Sequence, residues 1–209
     1  MRLRITFSKS GALRYTSHLD LHSIWERTIR RAGLPLSYTQ GFHPGPKIQL
    51  AAALPLGFIG RTEIVDLWIT DPVDSLDHPY KEMLQPAAPP GLVILAVDIV
   101  DEHGPALQTQ VVSAEYEVTL LEPGDKSSLD NGISALLGAA SLPRQRRGKT
   151  YDLRPLIESL ILLPADGTGA LRLHMRLAAR EGATGRPEEV LDALGISFET
   201  TRIERTCLV

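Results

Sequence analysis

Apolar and polar residues alternate with a period of two from Leu3 to Phe7, then switch to helical spacing from His18 to Ala32. Leu21, Ile24, Trp25, Thr28, Ile29 and Ala32 make one stripe of that helix, and Gly33 with Pro35 closes it. Leu36 to Gln40 reads as a short strand, Ile48 to Leu54 and Glu63 to Thr70 as two more, Tyr80 to Leu84 as a helical segment, and Leu92 to Ile99 as an apolar closing strand. After a loop around Gly104 and Pro105 the pattern restarts. Ala114 to Leu121 is a strand, Leu129 to Leu137 a helix, Thr150 to Leu153 and Leu171 to Leu177 are strand-like, Pro187 to Leu194 is a helix and Phe198 to Cys207 the last strand.

Each half therefore reads as βαββαβ, in which two helices cover one face of a four-stranded antiparallel sheet. The expected fold class is α+β, with tandem ferredoxin-like halves at residues 1–106 and 107–209. One larger mixed sheet is the competing architecture. The open face of such a sheet can take single-stranded RNA, a partner protein or a second sheet, so the fold permits an RNA reading without selecting it.

Charge adds a direction. Residues 1–50 carry eight Lys or Arg against two Asp or Glu, a local charge of +6 in a chain of net charge −3. Residues 51–140 carry three basic and fourteen acidic side chains. A basic island beside an acidic segment points to an anionic partner, nucleic acid first, although a basic helix face is also often merely solvated. The N-terminal segment lacks the apolar core of a signal peptide, and no stretch reaches the roughly 18–20 apolar residues of a membrane span. A cytoplasmic location with no membrane partner is expected. The single cysteine, Cys207, allows neither an intrachain disulfide nor a cysteine metal cluster.

The chemistry concentrates between Arg14 and Lys47. Ser17 is placed to cap the first helix, with Asp20 in its first turn. His18, His22, Glu26, Arg27, Arg30 and Arg31 lie away from the apolar stripe; Glu26 and Arg30 can pair at i, i+4, which leaves Arg27 and Arg31 without a local partner. In the following loop Tyr38, Phe42 and His43 supply rings for base stacking, Gln40 a hydrogen-bonding amide and Lys47 a phosphate contact. Taken alone, an aromatic beside glycine is expected to plug a core, and that holds for Phe42; as a unit the loop reads as functional. A second basic cluster, Arg144, Arg146, Arg147 and Lys149, followed by Tyr151 and Arg154, falls after the first helix of the second half. In the repeat reading the two clusters face one groove.

Catalytic patterns are weak. His18 and His22 at i, i+4 lack the glutamate of the zinc-protease helix and any cysteine support, so no metal or cofactor is expected. Tyr15, Ser17, His18 and His43 have residue types suited to metal-independent RNA cleavage, but their spacing does not demand it, and no catalytic residue is assigned.

The segment FSKSGALRYTSHLDLHSIWERTIRRAGLPLSYTQGFHPGPKIQLAAALPLG closely resembles the opening of the bacterial radical SAM-linked protein family, a domain of unknown function. The resemblance is carried by Arg14, Tyr15, Ser17, His18, Leu19, Asp20, Arg30, Arg31, Leu34, Pro35, Gly41, Phe42, Pro44, Pro46 and Leu54 to Gly57, and less sharply by Glu63, Asp66 and Arg154. The pattern more typically has a basic residue at position 22 and often asparagine at position 43, where this chain has His22 and His43. The resemblance implies a chain that works beside a radical SAM protein and carries over no catalytic role; the three-cysteine cluster of radical SAM chemistry is not in this sequence.

The favoured reading is a non-catalytic RNA-binding or substrate-presenting module, holding tRNA or rRNA for a radical SAM enzyme. Its candidate contacts are Arg14, Tyr15, His18, Arg27, Arg30, Arg31, Tyr38, Gln40, Phe42, His43, Lys47, Arg144, Arg146, Arg147 and Lys149. The alternatives are a protein-interaction module docking on the radical SAM partner and a metal-independent endoribonuclease.

Overall fold

Alternate residues of the first strand, β1 (Arg2–Lys9), disappear from solvent: Leu3, Ile5 and Phe7 are fully buried, as the period of two requires. The computed structural model describes residues 1–70, 79–146 and 148–209, which divide into two units, Met1–Val111 and Val112–Val209.

In the first unit β1 is followed by α1 (His18–Arg31), β2 (Ile48–Leu50), β3 (Ile59–Trp68), α2 (Tyr80–Ala87), β4 (Leu92–Val100) and the single turn α3 (Leu107–Gln110). The strands pair antiparallel in the order β4-β1-β3-β2, with Ile5 opposite Val65 and Leu3 opposite Leu67. Leu21, Trp25 and Ile29 of α1 and Leu84 of α2 join Leu3, Ile5 and Phe7 in one core. Trp25 meets Phe7 edge-on at 5.0 Å between ring centroids. Helix α1 starts at a capping box in which Ser17 Oγ accepts from the Asp20 N–H while the Asp20 carboxylate accepts from the Ser17 N–H. It ends at Gly33, whose φ of +73° lets the Leu34 N–H turn back to the Ile29 carbonyl at 3.2 Å.

The sheet face away from this core carries ions. Asp66 has no exposed surface and accepts from Arg2 Nε at 2.8 Å and Arg4 Nε at 2.9 Å. Arg2 Nη1 also reaches the Gly104 carbonyl at 3.0 Å, and Arg4 Nη1 reaches Gln110 Oε1 at 3.2 Å. One buried carboxylate thus ties the 101–110 segment to β1 and β3.

The second unit comprises β5 (Ser113–Leu120), α4 (Lys126–Gly138), β6 (Pro143–Arg146), β7 (Lys149–Asp152), β8 (Ile157–Leu163), β9 (Arg172–Arg180), β10 (Ala183–Thr184), α5 (Pro187–Ala193) and β11 (Thr201–Leu208). Its main sheet runs β11-β5-β9-β8, antiparallel throughout, with β10 folded back on the end of β9. The fold is mixed α+β with mostly antiparallel pairing. The open face of this sheet is a ladder of cross-strand ion pairs: Arg172 to Glu117 at 2.7 Å, Arg176 to Glu158 at 2.9 Å and Arg176 to Glu115 at 3.6 Å. Among the described residues of that face on β5, β8 and β9 there is no Phe, Tyr or Trp on which a base could stack.

Four sequence expectations change. Leu36 to Gln40 is not a strand but two isolated bridges, Leu36 with Ile69 and Tyr38 with Pro46. Only Ile48–Leu50 of the Ile48 to Leu54 stretch pairs in the sheet. Thr150 to Leu153 gives way to β8, which takes the edge beside β9, while β7 belongs to a separate two-stranded sheet with β6. Residues Phe198–Thr200 form a 3-10 turn, so the last strand starts at Thr201.

Candidate nucleic-acid interface

The segment before α1 is held from below by Lys9. This lysine lies on the buried side of β1 and donates from Nζ to the Thr16 carbonyl at 3.0 Å, fixing the 3-10 turn Gly11–Tyr15 above it. The Arg14 guanidinium lies over the Tyr15 ring, 4.8 Å from its centroid. The Gly57 N–H donates to the Arg14 carbonyl at 2.8 Å, which brings the Leu54 to Gly57 turn beside it. Tyr15, Leu19 and Leu56 are 66%, 78% and 58% exposed, an apolar surface at the start of α1.

His18 is exposed in the first turn of α1. Asp20 titrates below the ordinary aspartate value, first because the Ser17 hydroxyl donates to it at 2.7 Å and then because the Ser17 N–H does. Arg30 sits 4.0 Å from Glu26, at the limit of an ion pair, and remains exposed. Arg31, expected to be free, is not: its Nη1 donates to the Ala87 carbonyl at 3.0 Å, the last turn of α2, where a cation suits the helix dipole. Among the described residues the side chains of Arg27 and Lys47 have no hydrogen-bond or ion-pair partner, and both residues are exposed.

Residues 37–47 form a loop closed on itself. The Thr39 N–H donates to the Gly45 carbonyl at 2.8 Å, the Gly45 N–H to Thr39 Oγ1 at 3.0 Å, and the Lys47 N–H to the Ser37 carbonyl at 2.8 Å. The stem is seated on β3 by Ser37 N–H to the Trp68 carbonyl at 2.7 Å and Trp68 N–H to the Lys47 carbonyl at 3.1 Å. Tyr38 is braced against α1, its hydroxyl donating to Glu26 Oε1 at 3.4 Å. Five residues, Gln40 to Pro44, are left at the tip, all exposed. Gly41 there has φ +138°, a conformation side chains rarely adopt. Phe42 is 103% exposed, so the expectation that it plugs the core is overturned: the backbone bonds of the stem run within the loop and to β3, and they hold the tip out in solvent.

The second cluster sits on the β6–β7 hairpin. Residues paired across a hairpin share a face, so Arg144 with Tyr151 and Arg146 with Lys149 all project from one side. Arg144 is spent locally, at 3.9 Å from Glu189 and 3.8 Å from Asp192 of α5. Arg154 is spent as well, donating to the Leu137 carbonyl at 3.0 Å and the Ile157 carbonyl at 3.2 Å. The side chains of Arg146 and Lys149 have no hydrogen-bond or ion-pair partner among the described residues. Arg147 lies outside the described residues.

Sequence reading missed the apolar surface of Leu19 and Leu56; their signal was an exposed position on an otherwise polar helix face and an LPLG turn without an alternating partner. Among the described residues no three His, Cys, Asp or Glu side chains gather as metal ligands, and no helix is long and apolar enough to cross a membrane.

The family model described as "Uncharacterized protein conserved in bacteria (DUF2344)" matches residues 2–187. No curated protein matches the chain. Among solved structures, a crystal structure of a Cbf5–Nop10–Gar1 complex aligns with 99% of this chain and 48% of that chain, at a TM-score of 0.51 and 11% identity. A crystal structure of the archaeal box H/ACA sRNP Nop10–Cbf5 complex aligns at TM-score 0.49 and 12% identity, covering 99% of this chain and 47% of that one. A structure of an H/ACA RNP bound to a substrate RNA containing 2′-deoxyuridine gives the same figures, TM-score 0.49, 12% identity, and 99% and 47% coverage. The chain thus spans about half the length of the chains it matches, and at such identities the likeness is one of fold.

Proposed function

Because the chain belongs to the bacterial family described as uncharacterized DUF2344, whose description names no reaction, we propose from its own residues that it is a non-catalytic RNA-binding module. We read each unit as a ferredoxin-like half, on the strand orders β4-β1-β3-β2 and β11-β5-β9-β8 with the helices α1 and α2 in the first unit, beside the single turn α3, and α4 and α5 in the second. RNA is met by the self-closed loop of residues 37–47 together with the exposed face of α1. The observation that carries this is Phe42, a phenyl ring wholly in solvent at the tip of a braced loop, with His43 beside it and the exposed cations Lys47 and Arg27, unpaired among the described residues, in the stem and on α1. Exposing such a ring costs about 1.5–3 kcal/mol relative to burying it. Stacking on an unpaired base would recover that, and the cations supply phosphate contacts.

The RNA, tRNA or rRNA, would be held for a radical SAM protein that performs the chemistry. That partnership rests on the sequence resemblance. The apolar surface of Tyr15, Leu19 and Leu56 favours a second reading, in which this end of α1 docks on the partner protein. The two are compatible if the loop takes RNA and the helix start takes the protein.

Binding of a single-stranded RNA measured at several salt concentrations tests the proposal. Replacing Arg27, Arg30 and Lys47 together with alanine is expected to flatten the dependence of log affinity on log salt by roughly two units, about 0.7 per lost contact. Replacing Arg172 and Arg176, which are engaged with glutamates, leaves the slope unchanged. A wild-type protein with no salt-dependent RNA binding eliminates the RNA reading and leaves the docking one.

A further inference from the structure

The one-sided face of the β6–β7 hairpin lines a cleft within the second unit, of about 610 Å³, together with Leu156, Gly182 and the β10 residues Ala183 and Thr184. We propose that this cleft is a binding site for a nucleoside monophosphate, with the phosphate on Arg146 and Lys149 and the base against the Tyr151 ring. It goes beyond the RNA reading of the loop and does not depend on it.

Three observations carry it. First, the cations come in a graded pair of rungs. Arg144, on the inner rung, sits 3.9 Å from Glu189 and 3.8 Å from Asp192, whereas Arg146 and Lys149, one rung out, line the cleft with no ion-pair partner among the described residues. Two cations that are cross-strand partners on one face and line the same concave site attract a dianion far more than the same charges on a convex surface.

Second, the carboxylate that also lines the cleft is already committed. Asp152 Oδ1 accepts from the Leu142 N–H at 2.7 Å and the Arg154 N–H at 3.0 Å, which hold it ionised and turned to the backbone. It therefore does not neutralise the two cations by pairing with them.

Third, the remaining walls suit a flat ring. Tyr151 is half-buried, and its ring is neutral at physiological pH like that of any tyrosine, burial and the neighbouring Glu189 only raising its hydroxyl further. The small side chains of Gly182, Ala183 and Thr184 in the same lining leave space for it. The volume lies within the roughly 300–1,000 Å³ typical of small-ligand sites.

Calorimetric titration of the full chain with adenosine 5′-monophosphate tests the assignment, with adenosine and inorganic phosphate as separate probes. Saturable binding of the monophosphate is expected, weakened about tenfold or more in an Arg146→Ala, Lys149→Ala double variant. Adenosine and phosphate alone should each bind at least about tenfold more weakly than the monophosphate. Tyr151→Leu should weaken the monophosphate and leave inorganic phosphate unchanged, which separates loss of the ring from loss of the fold. The Arg27, Arg30 and Lys47 triple variant should bind the monophosphate like wild type, so failure here and failure of the RNA reading are told apart. A single-stranded RNA that displaces the monophosphate identifies the natural ligand as a residue of a strand; no displacement identifies a free nucleotide. No saturable binding up to about 10 mM, an affinity unmoved by the double variant, or inorganic phosphate binding as tightly as the monophosphate would overturn the proposal.

Discussion

Arg31 donates through Nη1 to the carbonyl of Ala87, 3.0 Å away at the end of α2, and so divides the arginines of α1 between two jobs. Arg31 joins helix to helix; Arg27 faces solvent without a partner among the described residues, and Arg30 remains exposed beside Glu26. Arg31→Ala is expected to cost about 0.5–1 kcal/mol of stability, the worth of a cation at a helix C-terminus, and to leave the salt slope of RNA binding intact. Arg27→Ala should do the reverse. Denaturation midpoints and RNA titrations of the two variants check the division.

Phe42→Ala should behave unlike a core substitution. A buried phenylalanine cut to alanine loses about 3–5 kcal/mol, whereas removal of this exposed ring should move stability by less than about 0.5 kcal/mol. RNA affinity should fall by about 1–3 kcal/mol, with the same loss at low and high salt, because stacking releases no counterions. A melting temperature that drops with the substitution would place the ring in a packed environment.

Asp66 balances two guanidinium groups while wholly buried. Asp66→Ala leaves Arg2 and Arg4 in place without their common anion, and should cost about 3–5 kcal/mol. Because the Arg2 fork also holds the Gly104 and Pro105 carbonyls, proteolysis between residues 101 and 110 should accelerate in this variant more than elsewhere.

Ser17 and Asp20 give α1 an acid-sensitive start. Asp20 has a folded pKa below its unfolded value of about 3.9, so its contribution is fully present above that pH and is lost as pH falls through the folded value. Asp20→Asn keeps the shape and removes the charge. The stability gap between wild type and this variant should therefore be constant near neutrality and close below about pH 4, as read from urea midpoints across the range.

The parts of the fold visible in sequence are those with local causes. The stripe of Leu21, Trp25, Thr28 and Ile29 specifies α1, and Ser17 with Asp20 specifies its start. β8 is hidden because the LILL run of IESLILL offers no alternation, while the strand-like reading of Thr150 to Leu153 falls on a two-stranded satellite whose inner arginine lies beside acids on α5. The partner of Arg31 stands 56 residues away, and no local spacing announces it. Phe42 was misjudged for a related reason: burial depends on whether a loop folds onto the body, and the bonds Thr39 to Gly45 and Ser37 to Lys47 fold this one onto itself.

That self-closure separates the shape of the loop from the identity of its tip. The rungs at Ser37, Thr39, Gly45 and Lys47 are made largely by backbone groups, and the Trp68 anchor is made entirely by them, so neither depends on which side chains occupy Gln40, Phe42 or His43. Exchanging those three leaves the ordering cost of the loop unchanged, and even a few inserted residues add only about half a kcal/mol of closure entropy. The stem acts as a socket: what the protein recognises can be rewritten at the tip while the core beneath it stays as it is.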